Sequence, residues 1–148
     1  MHLESVVLIE PLPTKSELLH ACRGIAYDHH PILLAAHTLT LLHERRLGAE
    51  PSETLEIDDE RARRVRAVDS WTTETLPPAH GAAYVHTETL GAVVDRVARY
   101  TAVAYAALTG LRGTDLGDAW EQLAELAIGY EDLVTEVHTG RRRLPGGP

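Results

Sequence analysis

The sequence predicts an all-α fold: a single-domain bundle of four to five helices preceded by a short extended N-terminal arm. Three observations lead there. Apolar residues recur at alternating threes and fours through long segments, the helical period. Proline falls between those segments or at their first position and not within them. With no Phe, one Met and two Trp, the core must be built from Leu, Val, Ile and Ala, which suit closely packed helices. At 148 residues the chain is most economically one domain, able to bury roughly two thirds of the surface its unfolded form exposes. The divisions read from the pattern are an arm over 1–13, a bundle over 14–140 and a basic, Pro/Gly-rich tail over 141–148.

In the arm, Ser5 to Ile9 is a short apolar run closed by Pro11-Leu12-Pro13. A lone strand lacks a partner, so an extended segment packed on a helix or on a second subunit is expected. Thr14-Lys15-Ser16-Glu17 has the form of a capping box and opens the first helix, with Leu18, Leu19, Cys22 and Ile25 at helical spacing. Pro31 disfavours helix at the residue before it but suits a first turn, so a second helix starts there and runs towards Arg46. Its buried stripe should include Leu33, Ala36, Thr40 and Leu41. Leu47 to Ser52 reads as a linker, and the third helix opens at Ile57-Asp58-Asp59-Glu60, with Val65, Val68 and Trp71 or Thr72 inward. Leu76-Pro77-Pro78 stops it. A fourth helix begins near His86 and carries Leu90, Val94, Val97, Thr101, Ala104 and Leu108. The fifth carries Leu116, Trp120, Leu123, Ala127, Tyr130, Val134 and Val137, close to a coiled-coil seam. The two should form an antiparallel pair.

Acids outnumber Lys and Arg by 22 to 14, giving a net charge of −8. That balance argues against a nucleic-acid surface, which needs clustered cations to neutralise phosphates. The basic run Arg141-Arg142-Arg143 reads as a solvated terminus. Cys22 is the only cysteine, which rules out an internal disulfide and a cysteine-rich zinc site. The start of the chain lacks the features of a secretory signal, and no apolar run reaches the length of a membrane span, so a soluble cytoplasmic protein is expected.

Chemistry concentrates in two segments. On a helix beginning near His86, Glu88 and Asp95 lie seven residues apart and share a face, with Gly91 between them. Gly91 weakens a helix but lets another backbone, a ligand or water approach closely. Glu88 and Asp95 could then face the acids Asp58-Asp59-Glu60 across the bundle, with His86 at the mouth, to hold a divalent metal or a cationic substrate, because carboxylates from several helices build bundle sites of this kind. In the alternative, a threonine caps the helix, Glu88 favours its N-terminal end and Asp95 pairs with Arg99. Histidines 20, 29, 30, 37 and 43 crowd the first two helices, and His30, His37 and Glu44 share a seven-residue spacing. A transition-metal or haem site would use such a face, but no paired-histidine motif is present, and capping or half-buried histidines account better for the pattern. No nucleophile elbow, phosphate loop or dinucleotide fingerprint occurs.

The stretches Asp58-Asp59-Glu60-Arg61-Ala62-Arg63-Arg64 and His86-Thr87-Glu88-Thr89-Leu90-Gly91, followed by Asp95-Arg96, resemble the domain-of-unknown-function family numbered 4254 in its actinobacterial form. The resemblance covers most of the chain from about the first helix to the last and implies a helical fold, with no reaction attached. It falls on the same two charged segments, which favours a shared polar site. In that site Glu88 and Asp95 would be catalytic carboxylates that hold a metal or the substrate, with Asp59 a further metal carboxylate and Mg²⁺ or Mn²⁺ the fitting ions. Glu60 would be a further ligand or base, Arg64 and Arg96 anion clamps, and His86 a substrate contact.

Two function classes follow. One is a pocket protein for a divalent metal or small charged metabolite, extending to metal-dependent hydrolysis of a phosphorylated small molecule. The other is a non-catalytic interaction or scaffold protein in which the same charges are structural ion pairs. A homodimer is expected for the first, packed through Trp120 and Tyr130 of the fifth helix and through the arm residues Val6 to Ile9, unless the fourth helix consumes the seam and the arm lies across its own bundle; in the second, the fifth helix presents a partner surface.

Overall fold

A computed structural model of the chain describes residues 11–79, 81–109 and 116–145. Five helices make up the bundle: α1 (Lys15–Cys22), α2 (Pro31–Leu47), α3 (Pro51–Thr75), α4 (Leu90–Ala107) and α5 (Leu116–His138). The expected all-α bundle is the observed fold. The arm residues Val6 to Ile9 lie outside the described residues.

Each helix start has a local cause. Thr14 Oγ1 accepts the Glu17 N–H at 3.1 Å while the Glu17 carboxylate accepts the Thr14 N–H at 2.9 Å, the capping box read from the sequence. His30 caps α2, its Nδ1 accepting the Ile32 N–H at 3.0 Å, with Pro31 in the first turn. α3 begins at Pro51, six residues before the expected Ile57. Pro51 is preset for a first helical turn, and Glu53 closes it by accepting the Glu50 N–H at 2.9 Å. The linker to α2 is correspondingly short.

The core is apolar and runs through all five helices, with Leu18, Ile32, Leu33, Ala36, Leu39, Val68, Leu90, Val94, Val97 and Tyr130 among its most enclosed members. Leu33, Ala36 and Thr40 take their expected places on the inner face of α2, but Leu41 does not: it is 46% exposed, and Leu42 and His43 are buried instead. On α4 the stripe is buried from Leu90 to Ala104, and Leu108, just past the helix end, is exposed. α2 lies at the centre, touching α1, α3 and α4, and α5 closes the bundle against α4 and α1.

The seam on α5 is largely used within the chain. Tyr130 is buried and donates its hydroxyl to the Pro13 carbonyl at 2.7 Å, and Trp120 packs edge-on against Tyr105 with ring centroids 4.9 Å apart. The basic tail also differs from the expected solvated terminus. Arg142–Arg143 form a short strand (β2) paired in parallel with Tyr84–Val85 (β1), with Tyr84 opposite Arg142 and Val85 opposite Arg143. Its ladder bonds run from Tyr84 N–H to the Arg141 carbonyl (3.0 Å) and from His86 N–H to the Arg143 carbonyl (2.8 Å). This ties the end of the chain to the segment that leads into α4.

Candidate functional site

The N-terminus of α4 decides where the predicted residues go. Thr89 is its cap, with Oγ1 accepting the Ala92 N–H at 3.1 Å, so the helix begins at Leu90 and not near His86. Glu88 therefore precedes the helix and does not share a helical face with Asp95. It pairs with Arg96, whose Nε is buried without a hydrogen-bond partner among the described residues. His86 stands in the same cluster. Partial burial pushes its imidazole below the usual histidine range, the nearby Arg142 and Arg96 cations act in the same direction, and Glu88 and Glu136 oppose them. Glu136 in turn accepts from Arg142 Nε at 2.6 Å. His86, Glu88 and Arg96 are thus brought together, with Glu136 and Arg142 added from the far end of the chain.

Asp95 faces the other way. Its Oδ1 accepts from His43 Nε2 at 2.8 Å and its Oδ2 from Arg61 Nη2 at 2.7 Å, joining α2, α3 and α4 at one carboxylate. Arg61 continues to Asp58 at 2.8 Å, and Asp58 is held by Arg46 through two bonds of 2.8 and 2.9 Å. Burial works to raise the Asp95 pKa, but the hydrogen bonds from His43 and Arg61 outweigh it and hold the group below the ordinary aspartate value. The Arg46 hydrogen bonds hold Asp58 far below the carboxylate range, with Arg61 adding to them. The expected pairing of Asp95 with Arg99 is replaced by Arg61.

Glu60 and Arg64 pair with each other on α3, Nε to Oε2 at 2.8 Å, and Arg63 binds the other oxygen. Asp59 is exposed. The two charged segments therefore do meet, through Asp58, Arg61 and Asp95, while Glu60 and Arg64 stay on α3 and Glu88 stays with Arg96. Among the described residues, no group of three or more His, Cys, Asp or Glu side chains is arranged to hold a metal ion. Asp58, Asp95 and Glu60 each have both carboxylate oxygens engaged by arginine or histidine donors.

Gly91 answers to close packing of helix on helix. A Cβ at this position would lie 2.4 Å from the Val65 carbonyl oxygen and 2.7 Å from Asp69 Oδ1. The Gly91 N–H donates to that same Asp69 oxygen at 2.7 Å. The glycine lets α3 and α4 cross within backbone contact, and the approaching group is protein.

Sequence reasoning did not connect His43 and Arg61 to Asp95, or Arg46 to Asp58. His43 carried a usable signal, since it continues the inward stripe Ala36, Leu39, Thr40 at helical spacing, and a histidine on such a stripe needs a polar partner from a neighbouring helix.

A concavity lies apart from the Asp58–Arg61–Asp95 contact, on the side of Arg142. A cavity of about 300 Å³ opens where α3 ends, α4 begins and α5 passes into β2. Its walls are Leu76, Pro77, Leu90, Val137, Leu144 and Pro145, and Thr72, Thr73, Asp69, His138, Arg142 and Arg143 bring polar groups to it. Asp69 is engaged by Gly91, Arg142 by Glu136, and His138 Nε2 by the Leu12 N–H at 3.1 Å. Arg143 has no ion-pair partner among the described residues. The walls come from sequence-distant elements joined by the β1–β2 pairing, so the cavity exists only in the folded chain.

No helix among the described residues is long and apolar enough to cross a membrane. No curated protein and no solved structure matches the chain. A family model described as protein of unknown function (DUF4254) matches residues 53–145, from the first turn of α3 through β2, leaving α1 and α2 outside the match. It spans the α3–α4 crossing, α5 and all the cavity walls, and on this match the chain belongs to the DUF4254 family of proteins of unknown function.

Proposed function

We propose that the chain binds a small anionic metabolite with an apolar body in the cavity between α3, α4, α5 and β2. The carrying observation is the combination of apolar walls with Arg143, a cation that no carboxylate of the described residues neutralises. A site of this kind uses apolar contact for affinity and a few polar groups for orientation. Arg143 would meet the anionic group, with the Thr73 hydroxyl as a second donor lining the cavity. Hydrolysis of a phosphorylated molecule would need a base or a metal facing the cavity. Asp69 is the carboxylate placed there, so binding is the part of the reading with the stronger support.

Calorimetry and thermal melts with benzoate, hexanoate and phenyl phosphate test the proposal. Binding should raise the melting temperature, weaken in Arg143→Gln and disappear in Thr73→Trp, which fills the cavity from an exposed position on α3. Failure of all three anions to shift the melt, or a shift unchanged in both variants, would refute it.

A second reading, a helical interaction protein, is favoured by a specific observation. Glu88, Asp95, Arg64 and Arg96 are all engaged in ion pairs within the chain.

A further inference from the structure

The outer side of the α2–α3 hairpin has a groove of about 500 Å³ lined, among the described residues, by those two helices. Leu42 and Ile57 form its floor, and both are buried. Leu41 lines it at 46% exposure, and Leu34, two turns earlier on the same face of α2, is 42% exposed. An apolar strip of this kind, rimmed by charges, is the usual form of a surface that meets another protein.

The charges on its banks indicate which protein. Arg45 and Arg63 offset Glu56 and Glu60, so the groove is neutral on a chain whose net charge is −8. Two of these four are already engaged, Glu60 with Arg63. The other two, Arg45 on α2 and Glu56 on α3, have no ion-pair partner among the described residues and stand on opposite banks. A single surface that offers an unpaired cation on one bank and an unpaired anion on the other is self-complementary.

We infer that this groove is the contact between two copies of the chain, related by a two-fold axis running along it. Such an axis lays α2 of one copy over α3 of the other. Arg45 of each then meets Glu56 of the other, and the exposed Leu34 and Leu41 strips cover the facing grooves. The contact is isologous, so one favourable pairing is made twice. A second copy is also a partner that the −8 charge would repel at most other faces and that this neutral face admits. The surface is distinct from the Trp120 and Tyr130 seam, whose tyrosine is consumed inside the chain.

Sedimentation velocity and light scattering on the full chain over a concentration series provide the test. The wild type should approach twice the 16.2 kDa chain mass. Arg45→Glu and Glu56→Arg each create two like-charge contacts per dimer and should each raise the dissociation constant at least about tenfold. Leu41→Glu should do the same. The two charge reversals mixed in equal amounts restore both Arg–Glu contacts and should recover association, which a merely unfolded variant could not do. Circular dichroism melts of each variant establish that it is folded, as its exposed position leads one to expect. A wild type that stays monomeric throughout, a dimer indifferent to the reversals, or a mixture that fails to re-associate would overturn the inference.

Discussion

Asp95→Asn keeps the shape of the side chain and removes the charge that joins three helices. The Asp95 side chain is 17% exposed, His43 5% and Arg61 24%, which places the contact between two regimes. A surface ion pair contributes up to about 1 kcal/mol. Removing one partner of a fully buried pair costs about 3–5 kcal/mol. Arg61 keeps Asp58 at 2.8 Å in the variant, and the amide oxygen still accepts from one donor, so a loss of about 2 kcal/mol is expected, or roughly 4–8 °C in Tm for a chain of this size. Glu88→Gln is the comparison. Its pair with Arg96 is 35% and 41% exposed, and the loss should stay under about 1 kcal/mol.

The pH dependence follows from the same contact. The folded chain holds Asp95 below its ordinary value, because the His43 and Arg61 hydrogen bonds outweigh the burial that opposes them. Near the unfolded aspartate pKa of about 3.9, the unfolded chain therefore binds more protons than the folded one. The stabilisation is complete above that value and is lost as pH falls through the lower, folded pKa. Denaturant melts of wild type and Asp95→Asn should differ above the ordinary aspartate pKa and converge in stronger acid. Equal losses for Asp95→Asn and Glu88→Gln, or a gap that persists unchanged into acid, would refute the assignment of Asp95 as the joint of α2, α3 and α4.

Three further outcomes follow from the packing. Gly91→Ala sets a methyl against the Val65 carbonyl and should cost about 1–3 kcal/mol in denaturant melts as α3 and α4 are forced apart. Tyr130→Phe removes the donor to the buried Pro13 carbonyl and should cost about 1–2 kcal/mol by the same measurement, with little change in packing volume. Cys22 is 4% exposed, and burial raises its thiol pKa against the smaller opposing effect of hydrogen bonds with Thr40 and Thr101. A thiol reagent should therefore label the native chain only as fast as the chain opens, and prompt labelling in the absence of denaturant would contradict the burial.

The candidate site was legible only in part. The two charged segments announced themselves in sequence, and they do meet, at Asp58, Arg61 and Asp95. The sequence leaves open whether they bind a metal or substrate or pair within the chain, because the cations that engage them cannot be placed from it. Arg46 and His43 come from α2, and that they reach Asp58 on α3 and Asp95 on α4 depends on a packing angle that no local pattern specifies. The shift of the α4 start from near His86 to Leu90 had the same origin. Thr87 and Thr89 are both plausible caps by residue type, and the choice of Thr89 put Glu88 outside the helix. The cavity was not anticipated at all, since the tail that closes it was read as solvated.

What the sequence by itself determined is the set of helices and their order. Apolar spacing, the capping box at Thr14, Pro31 in a first turn and the Leu76-Pro77-Pro78 stop act within a few residues, so they are written where they operate. The need for close packing at Gly91 was also visible, without the identity of its neighbour. Tertiary structure alone decided that the neighbour is the Val65 carbonyl, that Asp95 belongs to His43 and Arg61, and that Arg142–Arg143 form a strand beside Tyr84–Val85. Those outcomes depend on contacts between residues tens of positions apart. A carboxylate, a guanidinium or a free strand edge specifies the kind of partner it requires, and only the packing of the helices selects the one within reach.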